Sequence, residues 1–264
     1  MNFKSVFILV SLIILESCSK VPISGRTQMN LLPESEMIAM SFSQYDEFLN
    51  SHDVISPGDK RAKKMLIIGR NIAESVNDFL KEKHMLDRVE GFEWEFNLVN
   101  DDAVNAWCMP GGKVVVYTGI LPITKTNAGL AVVMGHEIAH AIARHGNERM
   151  SQQIVLQYGG QALDLLLTNK PDEMRDLFLT SYGVAGGVGS LAFSRSQETE
   201  ADKLGLVFMA MAGYDPSEAI AFWERMSKVG GQKPPELLST HPSDERRISD
   251  LKAYLPEAMK YYKP

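Results

Sequence analysis

Two histidines, His136 and His140, stand four residues apart in the stretch VVMGHEIAHAIARHG, with Glu137 directly after the first. On a helix they share one face about one turn apart, so two neutral imidazoles can reach a single zinc ion. Glu137 is rotated by roughly 100°. From there it can reach past the metal to water in an open coordination position, where a carboxylate acts as general base. Chance places this HExxH pattern in a chain of such length on the order of one time in a hundred, which favours chemistry over accident. The stretch also carries Leu130, Val133, Met134, Ile138 and Ile142. A core helix with two hydrogen-bonded histidines is therefore the competing reading.

Two histidines do not complete a zinc site. The extended pattern HExxHxxGxxH would need glycine at 143 and histidine at 146, where the chain has Ala143 and Gly146. His145 lies five residues beyond His140, which on an unbroken helix turns it roughly 140° from the metal face. It reads as a surface or second-layer residue. The stretch SRSQETEAD offers more, because Glu198 and Asp202 are four apart. Like charges at that spacing cost a helix about 0.2–0.5 kcal/mol. The conflict is resolved if Glu198 ligates zinc and Asp202 accepts the second N–H of a ligand histidine. Arg195, three residues before Glu198, offers simpler neutralisation. Glu200 points elsewhere on the helix and is the weaker candidate.

These residues need elements to hold them. The spacing predicts helices over 34–49 and 60–80, the second with Met65, Ile68, Ile72, Val76 and Phe79 along one face. FEWEFNLVN alternates in strand period. AWCMPGGKVVVYTGI reads as strand, Pro-Gly-Gly turn and strand. A helix over 129–149 carries the two histidines. One or two helices follow over 163–179, then a Gly-rich run from Gly183 to Gly189, then a helix over about 194–212. Asp215 and Pro216 signal another start, and Ser243 caps a last helix. The glycine run lacks the Lys-Ser/Thr ending of a phosphate loop and reads as close packing or a flap. Helices dominate around a small sheet, an α+β pattern.

The 264 residues are 45% hydrophobic and 23% charged, with net charge −6 and no basic stripe. Nucleic-acid binding has little support. The first residues differ from the rest. Lys4 precedes an apolar run from Val6 to Leu15 that is short for a membrane span and suits a secretory leader. It meets LESC, which resembles a bacterial lipobox with Cys18 as the lipidated first residue of the mature chain. Cleavage by an ordinary signal peptidase near Ser17 or Ser19 is the alternative. The chain thus divides into a leader over 1–17, a lead-in over 18–32 and a single domain over 33–264. Only Cys108 then remains unmodified, which leaves no disulfide framework. It could ligate metal or respond to oxidation, or sit as a small apolar residue in a strand.

The motifs together resemble the gluzincin metallopeptidase family that includes CAAX prenyl protease, HtpX and mitochondrial inner-membrane relatives. Within it the chain is most similar to small periplasmic lipoproteins. VPISGRTQMNLLPESEM, NAWCMPGGKVVVYTGIL, GHEIAHAIARHG, FSRSQETEADKLGL, MAGYDP and STHPS fall in the family's order. The resemblance implies a mainly helical zincin-like domain with a small sheet beside the HExxH helix. It implies one zinc held by His136, His140 and Glu198, with Glu137 as base and acid and Asp202 behind a ligand histidine. It places Asn105, Ala106, Trp107, Pro110, Gly111 and Gly112 in an edge strand and turn where an extended substrate adds by β-augmentation. It brings His241 to the site, as a donor to the oxyanion or as a fourth ligand that holds the enzyme latent. The activity implied is endopeptidase action on unfolded or outer-membrane polypeptides, in a periplasmic protein anchored by lipid to the outer membrane. The alternative is a chaperone-like client-binding protein with a structural or latent zinc site.

Overall fold

A computed structural model describes residues 18–158, 171–182, 193–229, 236–241 and 245–264. The leader over 1–17, the glycine run from Gly183 to Gly189 and the cap expected at Ser243 lie outside the described residues. Strands β1 (Cys18–Lys20) and β2 (Thr27–Met29) form an antiparallel hairpin. Helices α1 (Glu34–Ser51) and α2 (Lys60–Glu82) follow. Pro33 precedes α1, and the Asp59 carboxylate caps α2 by accepting from the Arg61 backbone N–H.

The sheet comes next. Strands β3 (Glu95–Val99), β4 (Ala106–Met109) and β5 (Lys113–Tyr117) lie in the order β3-β5-β4. β3 runs parallel to β5, and β4 is its antiparallel hairpin partner. Phe92 and Trp94, read as strand, fall just before β3. The hairpin turns at Pro110-Gly111-Gly112. Both glycines have left-handed backbone (φ 78° and 82°), which a side chain disfavours. Every residue of β4 and β5 is buried. Alternation sends them to opposite faces. Phe96, Leu98, Ala106, Cys108, Val114 and Val116 join the main core, whereas Val99, Trp107, Met109, Val115 and Tyr117 join a second cluster with Tyr45 and Phe48.

The remaining helices are α3 (Leu121–Thr124), α4 (Asn127–Ile142), α5 (His145–Tyr158), α6 (Pro171–Ser181), α7 (Arg195–Met211), α8 (Glu218–Met226), α9 (Glu236–Thr240) and α10 (Glu245–Ala258). The single helix expected over 129–149 is therefore two. α4 stops because Arg144 takes a left-handed backbone (φ 57°) after Ala143. That conformation is a common way to end a helix, though glycine usually supplies it. Asp215 does act at the start of α8, accepting from Ser217 N–H, but the regular helix begins at Glu218 rather than Pro216. No helix among the described residues is long and apolar enough to cross a membrane.

α4 and α7 form the central pair, and two glycines let them approach. A Cβ at Gly205 would fall 2.9 Å from the backbone nitrogen of His136 and 3.0 Å from the carbonyl carbon of Gly135. These contacts are with backbone, which cannot swing aside. The crossing sets His136 one residue from Gly135, and Asp202 and Glu198 one and two turns before Gly205. Gly205→Val should therefore lower stability by about 1–3 kcal/mol, the usual cost of overpacking. Denaturant unfolding would measure it, and an unchanged midpoint would show that the crossing accommodates a side chain.

Candidate metal centre

α4 is buried on all sides from Gly129 to Ile142. It is a core helix and also carries the polar residues, so the two readings of its sequence are not exclusive. Buried imidazoles and carboxylates need partners, and here they find one another. One ligand atom each from His136, His140, Glu198 and His241 lies within 4.8 Å of all the others. His136 Nε2 is 3.1 Å from His140 Nε2 and 3.2 Å from His241 Nδ1. The Glu198 carboxylate is 2.9 Å from His241 Nδ1, 3.3 Å from His140 Nε2 and 3.5 Å from His136 Nε2. The edges of a tetrahedron around zinc with bonds near 2.0–2.1 Å are about 3.4 Å long. The spacing and the His/His/Glu/His donor set fit a single zinc. Glu137 adds a second sign of fit. It is buried, and its Oε1 has no hydrogen-bond partner among the described residues. His241 Nε2 is 3.6 Å away from that oxygen.

The other nitrogen of each α4 histidine is also occupied. His136 Nδ1 lies 3.0 Å from Asp202 Oδ1, the pairing expected from the spacing of Glu198 and Asp202. His140 Nδ1 lies 2.9 Å from His145 Nδ1. His145 is fully buried, which decides for the second of its two expected places, behind the ligands, over the surface. The angular argument that turned it away assumed an unbroken helix. Arg144 breaks the helix and returns the His145 ring to the back of His140. His145 Nε2 then meets Glu200 Oε2 at 3.0 Å. Glu200 does point away from the metal cluster, as its position in α7 requires, but toward this second contact.

The cation beside the paired acids is Arg247 of α10. Its Nη1 donates to Glu198 at 2.7 Å, while Nε and Nη2 donate to Asp202 at 2.9 and 2.7 Å. Its guanidinium stacks 3.5 Å from the centre of the Trp223 ring. The acid pair in the sequence signalled that some cation is needed, and Arg195 was the local candidate. The partner seen here comes from a helix 45 residues beyond Asp202, which spacing alone does not reveal. Phe193 closes another side, with its ring centroid 3.9 Å from that of His140.

Burial pulls the charged states in opposite directions. It pushes Glu198 up, but His241 and Arg247 outweigh it and hold the carboxyl well below the usual range. Burial and Arg247 push His136 down, yet Asp202 and Glu198 hold it up at about 9. Burial drives His140 well below its ordinary value. It raises Glu137, against His241 and His136.

The segment from Asn105 to Gly112 forms the outer strand of the sheet, beside α4. Its side chains are packed inward. A Cβ at Gly111 would meet Phe42, and one at Gly112 would meet Trp94. The Asn105 carboxamide oxygen accepts from Ala106 N–H. Cys108 is buried outside the metal cluster, and burial lifts its thiol well above the ordinary value. That environment matches a strand residue rather than a reactive thiol.

The profile of peptidase family M48 matches residues 70–255. The chain belongs to that family. Among M48 relatives it is 34% identical over 244 residues to the mitochondrial metalloendopeptidase OMA1 of Schizosaccharomyces pombe, covering 90% of this chain and 66% of that one. It is 40% identical over 162 residues to the OMA1 of Arabidopsis thaliana, covering 60% and 31%. It is 30% identical over 164 residues to the beta-barrel assembly-enhancing protease of Escherichia coli, covering 60% and 34%. The M48 chain thus spans between about a third and two thirds of these relatives. The match includes α4, α7 and α10, which carry the HExxH histidines, Glu198 with Asp202, and Arg247.

Removing Arg247 leaves two buried carboxylates without their guanidinium. Arg247→Ala should destabilise the zinc-free M48 domain by about 3–5 kcal/mol. Chemical denaturation in the presence of a chelator measures this. A change under 1 kcal/mol would mean that the carboxylates find another partner or water.

Proposed function

We propose that this chain is a zinc-dependent metalloendopeptidase of the bacterial cell envelope that acts on unfolded or misfolded polypeptides. The observation that carries the reading is Glu137, a buried carboxylate with an unpartnered oxygen beside a four-donor metal cluster. Bound zinc supplies Lewis-acid polarisation of a scissile carbonyl and lowers the pKa of water to about 7. Glu137 takes a proton from the attacking water and returns it to the leaving amine. Burial raises its pKa, which suits a group that must both accept and release a proton. Asp202 and Arg247 hold His136 and Glu198 in place.

The outer edge of β4 offers backbone N–H and C=O groups to an extended substrate. Because the β4 side chains face the core, any selectivity comes from residues outside β4. The envelope location rests on the leader-like run ending in LESC, with Cys18 as the lipidated residue and the outer membrane as its site of anchoring. The name of the Escherichia coli relative, a beta-barrel assembly-enhancing protease, supports a role near β-barrel assembly. His241, with Nδ1 turned into the donor cluster, would serve as a fourth ligand to bound zinc and so hold the enzyme latent.

Two measurements test these assignments. Glu137→Gln should keep its zinc by metal analysis while cleavage of an unfolded polypeptide falls by about 10²–10⁴-fold. Wild-type protein that binds zinc but shows no Glu137-dependent cleavage would favour a client-binding role. His241→Ala should raise turnover by freeing a coordination position. A fall in turnover of about 10²-fold or more would instead assign His241 to the oxyanion.

A further inference from the structure

Glu200 and His145 have no part in the chemistry above, yet both are buried and both connect to a metal-facing histidine. Their hydrogen bonds have a direction. His140 turns Nε2 to the metal cluster, so in its ligand form that nitrogen carries the lone pair and Nδ1 carries the proton. Nδ1–H then donates to His145 Nδ1 at 2.9 Å, which leaves the His145 proton on Nε2, 3.0 Å from the Glu200 carboxylate. His136 reaches a carboxylate directly, through Asp202. His140 reaches one through a second imidazole.

Glu200 is itself fixed from outside this pair. Arg26 donates from Nε to Glu200 Oε1 and from Nη2 to Oε2, both at 2.9 Å. Its other contact is Glu148 of α5, 2.8 Å from Nη2. Ser24 Oγ donates to Glu200 Oε1 at 2.6 Å. Ser24 lies in the turn of the β1–β2 hairpin, and Arg26 directly precedes β2. The hairpin has two further ties to the end of α4. Gln28 Nε2 donates to the Arg144 carbonyl at 3.2 Å. Arg88 donates to both the Lys20 carbonyl and the Ile142 carbonyl.

The geometry points to Arg26 as a positioning residue for zinc binding: through Glu200 and His145 it holds the tautomer and ring orientation of His140. The hairpin is then a component of the metal site and not a passive lead-in. This rests on the zinc site proposed above. Outer partners of metal ligands typically contribute 10–100-fold in metal affinity, and they do so by this kind of orientation.

The test is zinc affinity of the full chain, measured by chelator competition, with circular dichroism of the zinc-free protein as a check of folding. Arg26→Ala and Glu200→Gln should each weaken zinc binding by about 10–100-fold. Because both act on one chain of contacts, the double variant should be no weaker than the weaker single one. Arg26→Lys, which keeps the charge, should recover part of the loss. Ser151→Ala removes the bond from Leu31 N–H, just after the hairpin, to α5, a contact outside this chain, and should leave the affinity unchanged. Affinity unchanged in both Arg26→Ala and Glu200→Gln overturns the proposal. So does an equal loss in Ser151→Ala, which would assign the effect to docking of the N-terminal segment in general. If Arg26→Ala does not fold, Glu200→Gln against Ser151→Ala decides the matter. A wild-type chain that takes up no zinc overturns the metal site and this role together.

Discussion

The cost of burying charge governs this molecule. Glu137, Glu198 and Asp202 are all buried, with Arg247 as the guanidinium among them. An isolated charge in such surroundings costs several kcal/mol, and a pair is tolerated only with good geometry and full hydrogen bonding. Three carboxylates beside one guanidinium leave an acidic excess that a further cation offsets. The need to satisfy these groups explains why four helices converge here. α4 brings two imidazoles and Glu137, α7 brings Glu198 and Asp202, α10 brings Arg247, and His241 follows α9. The same rule applies one layer out, where Glu148 and Glu200 are drawn together by Arg26.

Such a cluster requires close helices, and close helices require small residues. Gly135 and Gly205 provide that at the crossing of α4 and α7. The sheet supports the arrangement from below. With both faces of β4 and β5 buried, it presses α4 into place through β4 and separates the main core from the aromatic cluster around Trp107.

Much of this was legible in the sequence, for identifiable reasons. The HExxH spacing and the Glu198–Asp202 spacing are local, and helix geometry converts them directly into a shared face. The alternation through β3 and the Pro-Gly-Gly turn before β5 are local as well. Arg247 was not legible, because its partners are distant in the chain and any of several cations could have answered the same need. His145 was left open between the surface and the layer behind the ligands for a different reason. Its position depends on one left-handed residue, Arg144, and arginine carries no signal for that conformation. Glu200 was set aside along with His145, since each acquires meaning only through the other.

The separation of the metal donors along the chain has a consequence for biosynthesis. His136 and His241 are 105 positions apart, and Arg247 comes later still. A polypeptide emerging from its N-terminus presents the HExxH helix well before the carboxylates and guanidinium that complete it. Non-local contacts of this kind form late, after the intervening chain has closed its loops. Nascent molecules therefore carry an incomplete centre until α10 docks.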